Sequence, residues 1–375
     1  MTRPARALAL ELLGRIDEGA YANLATASLL ASGQSADLSP ADRHLVTTLV
    51  HGTTRLRRNL DFRVDAFVKG KLDDETRRVL RLGAYQLSAL RIPSHAAVNE
   101  TVKLAPHRSR GLVNAVMRRL AESGEQPTWP SDAVRLSYPD WIVERLRADL
   151  GPLADETLEA MNEAPEVHVR DDGYAQGRSS QLVAEAVTSS RGERVLDVCA
   201  APGGKATAMA RTGATVVAMD VHPNRTRLMA ENARRVRARL LTLTADGIRL
   251  PFASGTFDYV LVDAPCSGLG ALHRRPDARW RIQPDDIGEL VDLQRRLLAS
   301  SSAVLKPGGT LVYSVCTLTA AESTGIDAWL ADAHPELSAI PRPSGPWRPL
   351  GRGGQLLPQD IGSDGMCLFR YRLMN

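Results

Sequence analysis

Cysteine is scarce in this chain: four in 375 residues, at positions 199, 266, 316 and 367, too far apart to form a C-x-x-C pair. Zinc held by paired thiols and dithiol exchange are thereby excluded, so no metal is expected, the compartment is expected to be reducing, and any thiol chemistry must come from single cysteines. Long apolar runs are missing as well. The first apolar stretch, residues 7–13, contains Glu11 and leads into Arg15 and Asp17, which fits neither a membrane span nor a secretory leader. A soluble, cytoplasmic protein with no membrane partner is expected. There is no internal repeat, and lysine is nearly absent, 42 of the 47 basic side chains being Arg. A GC-rich genome would produce such a bias as readily as selection for a polyanionic partner.

What is present is enough for more than one core: 375 residues, 43% hydrophobic and 24% charged, suggest two or three domains. The formal net charge of +4 is unevenly placed, with residues 1–130 near +6 and the remainder near −2. The front third is therefore the better candidate for touching a polyanion. There the apolar residues recur every three or four positions, as in Leu8, Leu12, Leu13 and Ile16, and again in Leu112, Val116 and Leu120. That period predicts an all-α domain of six or seven helices over residues 1–125. Residues 122–130, with two prolines and a glycine, read as a linker. Short helical patterns follow at 140–150 and 153–161, giving a small connecting region over 126–165.

From residue 166 onward a third region extends to the end, and after Arg191 its texture changes. Five β-rich runs, at 194–198, 214–220, 240–244, 257–263 and 310–316, alternate with helical patterns at 205–211, 223–236 and 284–305. The alternation, with apolar runs inside the strands, predicts a parallel sheet covered on both faces, whose ligands sit at the carboxyl ends of the strands. Residues 335–354 read as Pro/Gly/Arg-rich loop.

The strongest local signal is VLDVCAAPGGK at 195–205. A buried strand ends in small and turn-forming residues, Cys199, Ala200, Ala201, Pro202, Gly203 and Gly204, and a helix begins near Lys205, so backbone can approach a ligand closely. The spacing is neither G-x-G-x-x-G nor a phosphate loop, and Pro202 removes an amide that such loops aim at phosphates. A cofactor lacking a pyrophosphate fits better, and S-adenosylmethionine (AdoMet) has that character. Asp220 ends the second strand, where it can accept from ribose hydroxyls, and Asp246 after the third is placed to reach the adenine edge. Asp263 ends the fourth. Each of these carboxylates alternatively caps the turn that follows its strand.

Cys266, after the fourth strand, and Cys316, after the fifth, emerge at the same rim. Transfer to an oxygen or an amine requires only a base and alignment. Cytosine C5 differs, because this ring carbon becomes nucleophilic only after a thiolate adds at C6. One cysteine attacks, a base removes the C5 proton, and a second thiol near the ring assists release. Position alone leaves the two roles open, since DNA cytosine-C5 enzymes attack with the Cys of their Pro-Cys motif, here Cys266. Cys199 and Cys367 read as small buried hydrophobes.

Residues 195–205, LVDAPCSG at 261–268, RRPDARW at 274–280, LKPGG at 305–309 and YSVC at 313–316 resemble the Sun-type RNA cytosine-C5 methyltransferases, most closely the RsmB type. HAAVNETV at 95–102 and GLVNAVMR at 111–118 resemble the NusB-like domain that RsmB proteins carry. The resemblance implies an all-α NusB-like domain followed by an α/β Rossmann-like AdoMet-dependent domain, and methylation of a cytosine in small-subunit rRNA. It implies cofactor contacts in Cys199 to Lys205, Asp220, Asp246 and Asp263. It further makes Cys316 the nucleophile and Cys266 the release residue, with Asp263 placed to hydrogen-bond the base. Two features depart from the family pattern. Val315 precedes Cys316 where Thr or Ser is usual, and the several tens of residues that family members place between Arg170 and the Gln176–Ser180 segment, part of an RNA-contacting subdomain, are nearly all absent.

Arg274, Arg275, Arg279 and Trp280 follow the Pro-Cys loop, offering charge for phosphates and a face for stacking, and are expected to bind RNA, as are Arg118 and Arg119 in the front domain. The arginines between 225 and 239 read as a solvated helix face. The partner is expected to be rRNA and the chain a monomer. The competing functions are a non-catalytic rRNA-binding assembly factor, which would have no need of the rim carboxylates and thiols, and a cytosine-C5 methyltransferase acting on tRNA. A small-molecule or protein methyltransferase would need neither two rim thiols nor a basic helical domain. Amino-N methyltransferases of bases usually carry [DN]PP[YF] where this chain has Asp263-Ala-Pro-Cys266.

Overall fold

Side-chain caps start two of the front helices. Ser39 accepts the Asp42 amide at 3.1 Å ahead of helix Pro40–Arg55, and Asp73 accepts the Thr76 amide at 2.9 Å ahead of helix Asp74–Ser88. The computed structural model describes residues 4–90, 92–123 and 127–374. Among them, the front third forms seven α-helices: Ala5–Asp17, Ala22–Ala31, Pro40–Arg55, Arg57–Asp65, Asp74–Ser88, Ser94–Leu104 and Arg110–Glu122. Leu8, Leu12, Leu49, Leu60, Leu80, Val113 and Met117 share their core. A Cβ on Gly52 would lie 2.0 Å from the Tyr85 hydroxyl, so glycine there lets helices Pro40–Arg55 and Asp74–Ser88 approach closely. The centre of the expected linker, residues 124–126, lies outside the described residues. Helices Asp132–Leu136, Asp140–Leu150 and Ala154–Ala160 follow.

The chain divides into two compact units, one of Met1–Glu144 with Leu272–Arg281, the other of Arg145–Ala271 with Ile282–Asn375. A short excursion from the middle of the second unit's sequence is thus folded into the helical one.

The second unit is built on a sheet. Its strands are β1 (Arg194–Asp197), β2 (Thr215–Asp220), β3 (Leu240–Thr244), β4 (Phe257–Asp263), β5 (Leu305–Val315), β6 (Leu337–Ile340), β7 (Arg348–Leu350), β8 (Gly353–Leu356) and β9 (Met366–Leu373), in spatial order β3-β2-β1-β4-β5-β9-β8-β7 with β6 also on β9. The first five pair in parallel, as their apolar runs predict, and Val195, Leu196, Val260, Leu261 and Val312 are buried. The chain leaves β1 to one side for β2 and β3, then returns past β1 to β4. The loops after β1 and β4 therefore diverge, opening a crevice at the carboxyl edge.

Two expectations are corrected. The sheet is mixed, because β9 runs antiparallel to β5, β6 and β8. Residues 335–354, expected as loop, contain β6, β7 and the start of β8. These strands are only three or four residues long, and β7 and β8 contain Pro or Gly, so they carry no strand pattern. Gly353 is there for space: a Cβ would meet Leu368 O at 2.3 Å.

Candidate active site

The loop after β1 is held from behind. The Ala200 amide donates to Met219 O at 2.7 Å and the Gly203 amide to Ala200 O at 2.7 Å. Gly203 has φ +100°, and a Cβ there would lie 3.0 Å from Met229 Cγ, so only glycine turns the chain into helix Gly204–Ala210 without strain. The Ala201–Pro202 bond is cis. Arg170, buried, donates to Gly204 O at 2.8 Å, Thr207 Oγ1 at 3.0 Å and Gln176 Oε1 at 2.7 Å while pairing with Asp172. The Tyr174 hydroxyl and Asn232 Nδ2 donate to Pro202 O at 3.2 and 3.0 Å. The segment from Arg170 to Gln176 thus buttresses this loop.

Four carboxylates stand at strand ends. Asp220 is buried, with Oδ1 accepting the His222 amide at 3.0 Å and Oδ2 3.4 Å from Arg225 Nε. Asp246 is exposed and accepts the Ile248 amide at 2.9 Å. Both therefore cap turns, each through one oxygen. Arg225 is exposed, as expected for a solvated face, but it also reaches Asp220 at the rim. Asp263 lies between Lys205, whose Nζ is 2.6 Å from Oδ2, and Ser314, whose Oγ donates to Oδ1 at 2.7 Å.

Asp197, whose role the sequence pattern did not reveal, is the unusual member. It is 1% exposed, and apart from the nearby Cys199 amide neither oxygen meets a hydrogen-bond donor among the described residues. Burial, reinforced by the Asp263 charge, pushes its carboxyl up to about 8. Burial would lower the Lys205 ammonium, but the negative charges of Asp263, Asp197 and Cys316 hold it above the ordinary lysine value. Burial, followed by Asp197, raises the Cys199 thiol far out of reach of neutral pH, so Cys199 is no nucleophile. Cys367 is pushed up to about 12 by burial.

Cys266 and Cys316 meet with their sulfurs 3.4 Å apart. Register brings this about. Asp263 pairs with Ser314 across β4 and β5, the Ala264 amide donates to Ser314 O at 2.9 Å, and the Gly270 amide donates to Cys316 O at 3.0 Å. The Cys266 thiol is held well above its ordinary value by its hydrogen bond with Cys316, then by burial and by the charges of Cys316 and Glu322. Cys266 thus keeps its proton.

The expected RNA residues divide. Arg118 and Arg119 are exposed on helix Arg110–Glu122, Arg275 is exposed and Arg274 half-buried. Arg279 is not a surface residue, which corrects its expected role. It is 0% exposed, its guanidinium sits 4.0 Å from the Tyr138 ring centroid, and it donates to Arg55 O and Ser137 O at 3.2 and 3.1 Å. Trp280 donates from Nε1 to Thr54 O at 2.7 Å. Both belong to the excursion Leu272–Arg281 and fasten it within the helical unit, a use of charge and aromatic surface that looks the same in sequence as an RNA contact.

Residues 184–372 match the family described as 16S rRNA methyltransferase RsmB/F, and residues 3–122 match the NusB family. The chain belongs to the RsmB/F methyltransferase family. Ribosomal RNA small subunit methyltransferase B of Thermus thermophilus is 34% identical over 99% of this chain and 98% of that protein. The probable ribosomal RNA small subunit methyltransferase B of Bacillus subtilis is 30% identical, with 98% of each chain covered. Among solved structures, PH0851 shares the fold with a TM-score of 0.77 at 20% identity, covering 99% of both chains. NSun6 from Pyrococcus horikoshii with SFG is 26% identical at a TM-score of 0.50, covering 54% of this chain and 53% of that one. The cofactor of this methyltransferase family is AdoMet, and the residues suit it. Asp197, a buried carboxylate, together with Asp220 and Asp263, matches a cofactor bearing a sulfonium and an ammonium, while Cys199 to Lys205 supply a close-approach loop.

Proposed function

We propose that this chain methylates C5 of a cytosine in small-subunit rRNA through a covalent bond between Cys316 and C6. The observation that carries this reading is the pair of thiols 3.4 Å apart at the carboxyl edge, beside the Lys205–Asp263 ion pair. The Lys205 cation acts on Cys316, which suits Cys316 as the attacking thiolate. Cys316 adds to C6 and moves electron density onto C5. When bound in the loop of residues 199–205, with Asp220 and Asp246 on its adenosine, AdoMet supplies the methyl group to C5. A base then takes the C5 proton, the electrons of that bond restore the C5–C6 double bond, and the Cys316–C6 bond breaks. Cys266 aids that departure by donating its S–H to the leaving sulfur. Asp263, oriented by Ser314 and Lys205, hydrogen-bonds the base, and Arg118, Arg119, Arg274 and Arg275 hold RNA phosphates.

Bisulfite mapping of cellular rRNA and tRNA with and without the gene tests the substrate. Loss of a single 5-methylcytosine in 16S rRNA is expected. A loss in tRNA would move the substrate, and an unchanged map would favour an assembly factor.

A further inference from the structure

Behind the thiols lies a carboxylate that the proposed chemistry does not use. Glu322, in the loop between β5 and helix Thr324–Ala333, is 0% exposed. Its Oε1 accepts the Ser267 amide at 2.8 Å and Gln294 Nε2 at 3.1 Å, and its Oε2 accepts the Ser267 hydroxyl at 2.5 Å and the Thr319 hydroxyl at 2.8 Å. Four donors on two oxygens are what a buried acceptor-only group requires. The partners are not scattered: Ser267 follows Cys266 directly, and Thr319 stands three residues after Cys316. Ser267 and Thr317 join the same two loops through hydroxyls 2.8 Å apart, and the Tyr313 hydroxyl donates to Glu322 O at 2.7 Å.

We propose that Glu322 is a positioning residue for the thiol pair, clamping the Cys266 loop to the Cys316 loop and, by its negative charge, reserving the thiolate for Cys316. The proposal rests on Cys316 being the attacking sulfur. The titratable groups facing Cys266 are Cys316, Glu322 and Tyr313. Burial holds the Tyr313 phenol well above its ordinary value, so it stays neutral. Glu322 and Cys316 are thus the two charges that oppose ionisation of Cys266, whereas the cation of the site, Lys205, acts on Cys316. A pair of like thiols at one rim would share the anion between them. A carboxylate placed behind one of them makes their roles unequal.

The test is the pH dependence of Cys266 alkylation by iodoacetamide in the folded full-length chain, read as initial rates by peptide mass spectrometry. Glu322→Gln removes the charge but keeps the shape, because the Ser267 and Thr319 hydroxyls can turn to accept from the new Nε2. Its Cys266 profile should move to lower pH by about one pH unit, which is about tenfold faster reaction at pH 8. Thr319→Val removes one hydrogen bond from the same oxygen and leaves the charge, so its profile should coincide with wild type. An unmoved profile in Glu322→Gln, an equal movement in Thr319→Val, or loss of the folded state in Glu322→Gln by thermal melting would each overturn the proposal. Neither RNA nor methyl donor enters the measurement, so the cytosine reading can fail in its own assays while this result stands, and the reverse.

Discussion

Lys205 and Asp263 form an ion pair across 2.6 Å, with side chains 13% and 27% exposed, joining the helix after β1 to the end of β4. The pair couples the loop after β1 to the thiol rim, and Asp197 is the third titratable group in the cluster.

Lys205→Met should therefore leave two neighbouring carboxylates without their cation. Breaking a buried pair costs about 3 kcal/mol, seen as a lowered melting temperature. The loss should be larger at pH 8 than at pH 5, because protons then replace the missing charge. A melting temperature equal to wild type at both values would show that the pair is not coupled to the fold.

The two thiols should separate in function. Cys316→Ala abolishes methyl transfer to RNA, whereas Cys266→Ala lets a protein–RNA adduct accumulate that survives denaturing electrophoresis. An adduct trapped through Cys266 in the Cys316→Ala protein would reverse the assigned roles.

Asp197 makes stability depend on pH. Its carboxyl titrates at about 8 in the folded chain and at about 4 when unfolded. Between those values the folded state binds more protons, so its contribution to stability falls as pH rises from about 4 to about 8 and is level above that. Asp197→Asn should melt with a shallower pH dependence over this window and exceed wild type at pH 8. Parallel melting curves for the two proteins would contradict the raised value.

Arg279→Ala should destabilise the helical unit rather than weaken RNA binding. It removes the hydrogen bonds to the carbonyls of Arg55 and Ser137 and the cation from the face of Tyr138, a loss of about 3 kcal/mol. Arg118→Ala and Arg275→Ala, both at exposed positions, should leave melting unchanged and each lower the salt slope of RNA affinity by about one. A reduced slope in Arg279→Ala, with unchanged melting, would return that residue to the RNA surface.

Helix period, strand–helix alternation and the small-residue loop at 195–205 are properties of neighbouring residues, so the sequence by itself determined a front domain of six or seven helices, the five parallel strands and the loop after the first of them. The carboxyl ends of those strands followed from topology, and with them the common rim of Asp220, Asp263, Cys266 and Cys316. Only the tertiary structure decided the rest, because it depends on pairings between distant segments. The β4–β5 register sets the thiols 3.4 Å apart, and burial beside Asp263 pushes the Asp197 carboxyl up. Strands β6 to β8 are too short to announce themselves, β7 and β8 carrying Pro and Gly besides, and β6 and β8 pair with β9 while β7 pairs with β8. Arg279 had the composition of an RNA surface, and the fold of Leu272–Arg281 turned its charge inward, where backbone carbonyls and Tyr138 answer it, while Trp280, partly exposed, bonds Thr54 O through Nε1.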